Sequence, residues 1–382
     1  MNSMVLAAVF ALLLAPASTL AMQPAGGGYQ SDSTSDLPYV LPAPQSGANS
    51  TAGSVVATVP VGVYPSGAAY DQRNGDVYVT DVGQASVSVI DGTTDKVTAT
   101  VPVGHWPIAA AYDGENGDIY VTNFYSWTVS VIDGSKNTVS ATVKVGKDPY
   151  GVAYDTRNGL VYVANGGSGT ISVIDGRNNK IVATIQVAPH PKHLAYDGGN
   201  GDIYVTNFYS DTVTVIDGST NRVASTIPVG AEPAGIAYDP ANGGMYVVNF
   251  GSGTVSVIDG TTDKVTATVG VGQHPNGIAY DGANGFLYVA NGDSFTVSAI
   301  NGGTNRVVGT VEVGAGPDGI AYDAANGLVY AVNQNSYTVS VISPASPAPE
   351  FGTAAQLALA AAVAGGLAVT RRRLTGRALL FN

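Results

Sequence analysis

The chain has 382 residues, a formal net charge of −12 and no cysteine, and only 12% of its residues are charged. An acidic protein repels a phosphate backbone, so nucleic acid is a poor candidate for a partner. The absence of cysteine excludes disulfides, thiolate catalysis, cysteine-ligated zinc and iron–sulfur clusters. Its 49 glycines and 21 tyrosines are typical of short strands joined by tight turns.

The N-terminal segment predicts export. An apolar run covers residues 5–15, and small residues follow it up to Ala21, which is the pattern of a secretory signal peptide. We therefore expect residues 1–21 to be a signal peptide. Residues 22–53 are rich in Gly, Ser, Pro and Ala and lack hydrophobic periodicity, so we expect a disordered linker.

Residues 54–343 contain one motif seven times. A Tyr-Asp pair recurs with an unbroken period of 42 residues, at Tyr70, Tyr112, Tyr154, Tyr196, Tyr238, Tyr280 and Tyr322. An Asn-Gly pair, which is a strong hairpin signal, follows each of them. In the second copy, runs typical of strands cover residues 109–113, 118–123, 128–133 and 138–145. Four strands per repeat predict an all-β fold, a seven-bladed β-propeller of four-stranded blades.

One strand of each repeat carries the letters Tyr-Val-Thr-Asn, at residues 120–123 and 204–207, or a close variant. This motif resembles the YVTN-repeat β-propeller family of surface proteins, and the resemblance covers all seven repeats. It implies the propeller fold and leaves the function open.

The outermost strand indicates how the ring closes. It contains Pro60, Pro102 and Pro228, and proline cannot donate to an interior ladder, so this strand lies at an edge. The outer-strand motif first occurs at residues 55–61, before the first repeat, whereas the last repeat ends at Ile342 without one. We therefore expect the N-terminal strand to complete the last blade.

The C-terminal segment predicts a membrane anchor. Residues 344–352 form a Pro-rich stalk ending in Pro-Glu-Phe-Gly, residues 353–370 are apolar, and residues 371–382 begin with three arginines. An 18-residue helix is about 27 Å long, which spans a bilayer core, and the arginines would stay in the cytoplasm. The order resembles PEFG-type sorting signals of archaeal surface proteins, which implies processing by an archaeosortase.

The seven aspartates that follow the repeated tyrosines invite a metal-site interpretation. Each begins an Asp-x-x-Asn-Gly sequence, so a side-chain-capped turn explains their repetition better. The four histidines are scattered and lack glutamate neighbours with ligand spacing. We expect no metal site and no cofactor.

Positions that vary between repeats on one face of the ring are the candidate site. The residue after the proline that opens each repeat reads Ser66, Ile108, Tyr150, Lys192, Ala234, Asn276 and Asp318, and we expect this set to ring the channel mouth. The next residue is glycine in five repeats, which we interpret as a turn glycine, and His193 replaces it in the fourth.

Aromatic residues concentrate in the loops expected on the same face. They are Trp106, Phe124, Tyr125, Trp127, Phe208, Tyr209, Phe250, Phe295 and Tyr337. Exposed aromatic side chains are enriched in recognition surfaces. Alternatively, they fold back and cover the hydrophobic ends of the blades.

These features favour a binding or adhesion module on the cell surface, monomeric and not an enzyme. Its expected partners are an envelope protein, a glycan or another extracellular ligand. Candidate binding residues are the nine aromatic residues above together with Tyr150, Lys192, His193 and Asp318. Two alternatives stay open: a purely structural envelope component, and a secreted lyase or quinoprotein-type oxidoreductase with its site at the channel mouth.

Overall fold

The computed structural model describes residues 53–344, and these form seven four-stranded antiparallel sheets. The prediction of an all-β, seven-bladed propeller is confirmed. Within this range no helix has the length and apolar character needed to cross a membrane. The expected signal peptide, linker, stalk and C-terminal transmembrane helix lie outside the described residues.

The strands are numbered in chain order, and each blade has four from the channel outwards. The innermost strands are β2 (Pro65–Tyr70), β6 (Pro107–Tyr112), β10 (Pro149–Asp155), β14 (Pro191–Tyr196), β18 (Pro233–Asp239), β22 (Pro275–Asp281) and β26 (Pro317–Asp323). The second strands are β3 (Asp76–Asp81), β7 (Asp118–Asn123), β11 (Leu160–Asn165), β15 (Asp202–Asn207), β19 (Gly244–Asn249), β23 (Phe286–Asn291) and β27 (Leu328–Asn333). The third strands are β4 (Ser86–Asp91), β8 (Thr128–Asp133), β12 (Thr170–Asp175), β16 (Thr212–Asp217), β20 (Thr254–Asp259), β24 (Thr296–Asn301) and β28 (Thr338–Ser343). The outermost strands are β5 (Lys96–Pro102), β9 (Thr138–Lys144), β13 (Lys180–Gln186), β17 (Arg222–Pro228), β21 (Lys264–Gly270), β25 (Arg306–Glu312) and β1 (Ser54–Pro60).

Blades 1 to 6 each use four consecutive strands, and the seventh closes the ring. Its sheet has the order β1-β28-β27-β26, so the first strand of the propeller is the outer edge of the last blade. Val59 of β1 pairs with Val339 of β28 and is buried. The predicted closure is confirmed.

The innermost strands begin earlier than the sequence suggests. In blade 2 the strand starts at Pro107 rather than at residue 109, because Pro107 pairs with Asn123 across a shift in register before Ala110. The proline nitrogen has no hydrogen to donate, and the irregular register leaves it outside the regular ladder.

Valine and isoleucine side chains from neighbouring blades pack together and form the core. Each second strand adds a buried tyrosine to this core. These seven tyrosines are fully buried: Tyr78, Tyr120, Tyr162, Tyr204, Tyr246, Tyr288 and Tyr330. The Tyr78 hydroxyl, in blade 1, donates to Asn137 Oδ1 of blade 2 at 2.7 Å. Tyr330 of blade 7 donates to Asp95 Oδ1 of blade 1 at 3.0 Å, across the closure.

The repeated aspartates join the blades as well as capping turns. Asp71 is buried, and its Oδ1 accepts the Arg73 backbone N–H at 2.8 Å, as the turn interpretation predicts. The Tyr112 hydroxyl of the next blade hydrogen-bonds to Asp71, and Tyr70 bonds to Asp323 in the same way across the closure. The structural interpretation of these aspartates is confirmed.

Candidate functional site

Two sets of loops lie together on one face of the ring, which we call the upper face. One set precedes the innermost strands and the other joins the second and third strands of each blade. In blade 2 the Phe124 N–H donates to the Trp106 carbonyl at 2.8 Å, which ties one loop to the other. The candidate residues are therefore on a common face, with the Asn-Gly turns at the opposite end of each blade.

A chain of polar side chains crosses the channel at this face. Lys192 Nζ in blade 4 donates to Asn276 Oδ1 in blade 6 at 3.3 Å. Asn276 Nδ2 donates to Asp318 Oδ1 in blade 7, and Ser66 Oγ in blade 1 donates to Asp318 Oδ2 at 2.7 Å. Between blades 4 and 6 stands the small, fully buried Ala234, which leaves room for the lysine to reach past blade 5.

Lys192 lies among aromatic rings. Its Nζ is 4.4 Å from the ring centroid of Phe208 and 5.6 Å from that of Phe250. Burial lowers the pKa of Lys192 to about 8, against the charges of Asp318 and Glu232, which raise it. The ring faces favour the ammonium and compensate part of its lost hydration. Because this amine can lose its proton close to neutral pH, it can serve as an acid or a base.

The pKa values of Asp318 and His193 are shifted by the same burial. Burial raises the pKa of Asp318, while the Ser66 hydrogen bond, the Lys192 charge and the Asn276 hydrogen bond oppose that rise. Burial and the adjacent Lys192 lower the pKa of His193 to about 3, so this imidazole is neutral. All three side chains keep partial solvent exposure along the channel.

The expectation that His193 replaces a turn glycine is wrong, because His193 lies within β14. The glycines at this position are needed for close packing of neighbouring innermost strands. A Cβ on Gly235 would lie 2.2 Å from the Asn276 carbonyl oxygen, and one on Gly151 would lie 2.6 Å from that of Lys192. At the junction of blades 4 and 5, the His193 side chain therefore occupies a position where five other blades have a glycine.

The aromatic candidates form a wall beside the polar chain. Trp106 and Tyr125 have ring centroids 4.4 Å apart, and Phe124 stands edge-on to Tyr150 at 5.0 Å. On the next part of the rim, Phe208 contacts Tyr209 at 5.1 Å and Phe250 at 6.0 Å. Phe250 in turn stacks on His274 at 4.5 Å, and His274 Nδ1 bonds to Asp293 Oδ2 at 2.5 Å.

Three aromatic candidates lie away from this wall. Trp127 and Phe295 are 41% and 49% exposed, and Lys147 Nζ lies 5.6 Å above the Trp127 ring. Tyr337 contacts Tyr64 with ring centroids 5.1 Å apart. The candidate residues thus divide into a group around the channel mouth and a scattered outer group.

Sequence reasoning missed partners of both groups. Asn276 and Ser66 were placed at the channel mouth but not among the candidate binding residues, and Gln334, which donates to Asp318 Oδ2 at 3.5 Å, was not considered. Gln334 occupies the repeat position of Phe124 and Phe208, so a comparison of that position across repeats would have found it. No local sequence pattern indicates Tyr64, because its partner Tyr337 lies at the other end of the propeller sequence.

The fold and the site define a propeller with a titratable lysine and aspartate enclosed at one end of its channel. Residues 109–346 match a family described as lactonase, seven-bladed β-propeller, so the chain belongs to this family. Among solved structures, the hydrazine synthase of Kuenenia stuttgartiensis is similar at 22% identity, with a TM-score of 0.68, covering 74% of this chain and 96% of that one. This likeness shows the fold alone. No curated protein matches the chain.

The family match corrects one expectation. The chain was expected not to be an enzyme, and that expectation is wrong, because the family to which it belongs is named for an enzymatic activity. The sequence argument failed because it searched for short motifs. The lysine and aspartate lie in different blades, and Lys192 and Asn276 are 84 residues apart.

Proposed function

We propose that this propeller hydrolyses a lactone at the upper mouth of its channel, with Lys192 as the general base. The observation that carries the proposal is the enclosed polar chain from Lys192 through Asn276 to Asp318 in a member of a lactonase family. This is the place that the sequence favoured for a catalytic alternative. The chemistry is ester hydrolysis rather than a lyase or oxidoreductase reaction.

The reaction needs one group that takes and returns a proton. The neutral amine of Lys192 accepts a proton from water as its oxygen attacks the lactone carbonyl carbon. The ring C–O bond then breaks, and the Lys192 ammonium returns the proton to the departing alkoxide, which leaves an open-chain hydroxy acid. A pKa of about 8 keeps roughly a tenth of the amine neutral at pH 7 and makes both transfers accessible.

The surroundings favour an uncharged substrate with an apolar face. Phe208 and Phe250 offer ring surfaces beside the lysine, and Trp106, Phe124 and Tyr150 form a second aromatic group on the same face. Acidic side chains stand on the loops of the same face, at Asp148, Asp211, Glu232 and Asp293. They lower the electrostatic potential there and disfavour phosphorylated lactones.

The test measures hydrolysis of uncharged aliphatic and aromatic δ-lactones by the full chain and by Lys192 variants. We expect Lys192→Met to lower kcat/KM by about 10²–10⁴-fold, because general-base catalysis contributes this much. We expect Lys192→Arg to be equally impaired, since a guanidinium does not deprotonate in this pH range. The matched control is Lys144→Met on an exposed outer strand, which should retain full activity.

The pH dependence separates the base from a fixed cation. Wild-type kcat/KM should rise with pH and level off above about pH 8, as the Lys192 amine becomes neutral. Asp318→Asn removes a charge that raises the Lys192 pKa, so this inflection should move to lower pH. Retained activity in Lys192→Arg, or a profile that falls with increasing pH, would contradict the assignment.

We further propose that the enzyme works outside the cell, held at the surface by the C-terminal segment after export. The predicted signal peptide at residues 1–21 and the PEFG-type sequence at residues 349–352 support this proposal. Adhesion to an envelope protein or glycan is a second candidate function, favoured by the exposed Trp127 and Phe295. Quenching of tryptophan fluorescence by such a partner, lost in Trp127→Ala with lactone hydrolysis unchanged, would support it.

A further inference from the structure

Tyr64 and Tyr337 meet where the two ends of the propeller are joined. Their ring centroids are 5.1 Å apart and their planes are nearly perpendicular, at 81°. Tyr64 follows β1 and Tyr337 precedes β28, and these two strands pair to close the ring. The two phenols also hydrogen-bond to each other, which raises the Tyr337 pKa. Both side chains are about one-third exposed, at 36% and 37%.

The pair is particular to this junction. The repeat position of Tyr64 holds Trp106, Asp148, His190, Glu232, His274 and Gly316 in the other blades. The position of Tyr337 holds Ala85, Trp127, Gly169, Asp211, Gly253 and Phe295. Of the seven junctions in the described ring, only the closure therefore places tyrosine at both positions.

Both residues occupy an unfavourable backbone conformation. Tyr64 has φ of 52° and Tyr337 has φ of 57°, a left-handed conformation that the repeat imposes at both positions in every blade, as at Trp106 and Phe295. Glycine stands at the Tyr337 position in two other blades and satisfies the same backbone. The backbone requirement alone thus does not explain two tyrosines in contact.

We propose that Tyr64 and Tyr337 are a site of oxidative cross-linking, in which a dityrosine bond clasps the closure of the ring. Each phenol loses one electron and one proton to a peroxidase-type oxidant and becomes a tyrosyl radical. The radicals couple through a ring carbon ortho to each oxygen, and tautomerisation restores both aromatic rings. Hydrogen peroxide takes up the two electrons and two protons and becomes two molecules of water.

The consequence is a covalent closure in a chain that has no cysteine. A bond between Tyr64 and Tyr337 spans almost the whole propeller sequence and restricts the unfolded chain as a disulfide across a long loop does. It also holds β1 against β28, the pairing through which an opening of the ring would begin. The cross-link is independent of the proposed lactone hydrolysis and uses none of its residues.

The test treats the full chain with hydrogen peroxide and a haem peroxidase at low protein concentration. Proteolysis and mass spectrometry should find one peptide that joins Tyr64 to Tyr337 and is lighter by two hydrogen atoms than the sum of its parts. Dityrosine fluorescence should appear in the monomer. The cross-linked monomer should unfold at a higher urea concentration than the untreated protein.

Single substitutions supply the controls. Tyr64→Phe and Tyr337→Phe keep the ring contact and should abolish the monomeric cross-link, with folding verified by circular dichroism. Tyr209→Phe removes a more exposed tyrosine, which packs against His190 and Phe208, and should leave the yield unchanged. Dityrosine of equal yield in Tyr64→Phe, bonds mainly between two molecules, or no dityrosine in the wild type would each overturn the proposal.

Discussion

A single residue that departs from the repeat can lower the stability of its blade. Asp81 stands where the other blades have asparagine, and its side chain is fully buried. Ser86 and Ser88 donate to Asp81 Oδ2 at 3.1 and 2.8 Å, and backbone hydrogen bonds from Gly62 and Ser88 also favour the charged form. Burial raises the pKa of this carboxyl, because the hydrogen bonds offset only part of the desolvation. Blade 1 thus buries a carboxyl group at a position where the other six blades bury a neutral amide.

We predict that Asp81→Asn stabilises the propeller at neutral pH by about 1–3 kcal/mol, since the amide has no charged form whose burial costs free energy. Asn123 shows that the amide fits, since its Nδ2 donates to Ser130 at 3.0 Å. A raised folded-state pKa means that the carboxyl costs stability only above its unfolded pKa of about 3.9. The advantage of the variant should therefore shrink as pH falls towards 4.

Urea unfolding at several pH values measures this difference. Asp91→Asn is the control, because Asp91 is partly exposed to solvent and hydrogen bonds from Thr93 lower its pKa. That substitution should bring no gain at any pH. An Asp81→Asn advantage that is equal at pH 4 and pH 8 would show that packing rather than charge is responsible.

At the scale of elements, β1 is the strand on which closure depends. Its side chains alternate, with Val59 buried against Val332, Val339 and Val341, and Val56 56% exposed. We predict that Val59→Asp lowers the free energy of unfolding by at least about 2 kcal/mol, because a carboxylate replaces a buried side chain. Detachment of β1 would also uncover the edge of β28 and promote association between molecules.

The matched control for this element is Val56→Asp on the same strand, which should change neither the urea midpoint nor the mass measured by light scattering. Limited proteolysis adds a local readout, since a detached β1 is cleaved before the rest of the ring. Equal effects of the two substitutions would mean that β1 is not held by its buried face.

The elements were largely predictable and the site only partly so. The 42-residue period and the Asn-Gly turns define four strands per blade, and proline marks the outer edge, because these signals are local in the chain. The contact of Lys192 with Asn276 depends instead on the distance across the channel between the innermost strands of blades 4 and 6, which the sequence does not give. The small Ala234 between them becomes informative only once the ring exists, and the same is true of Tyr64 and Tyr337.

At the scale of the whole molecule, hydrogen bonds between adjacent blades join the repeats into one ring. Tyr246 in blade 5 is fully buried, and its hydroxyl donates to Asn305 Oδ1 of blade 6 at 2.7 Å and lies 3.0 Å from the Gly302 carbonyl oxygen. An open array of repeats can lose its ends independently of its middle. A closed ring of such junctions has no free end, so a weakened junction should destabilise all seven blades together.

We therefore predict that Tyr246→Phe lowers the free energy of unfolding by about 1 kcal/mol, the net value of a hydrogen bond, without creating a separate transition. Both tryptophans lie in blade 2, so their fluorescence reports on blades far from the substitution, whereas circular dichroism reports on every blade. The two urea curves should shift by the same amount, and Tyr209→Phe on an exposed loop should shift neither. A shift in circular dichroism with unchanged fluorescence would show that blades 5 and 6 unfold by themselves and that the ring is not one cooperative unit.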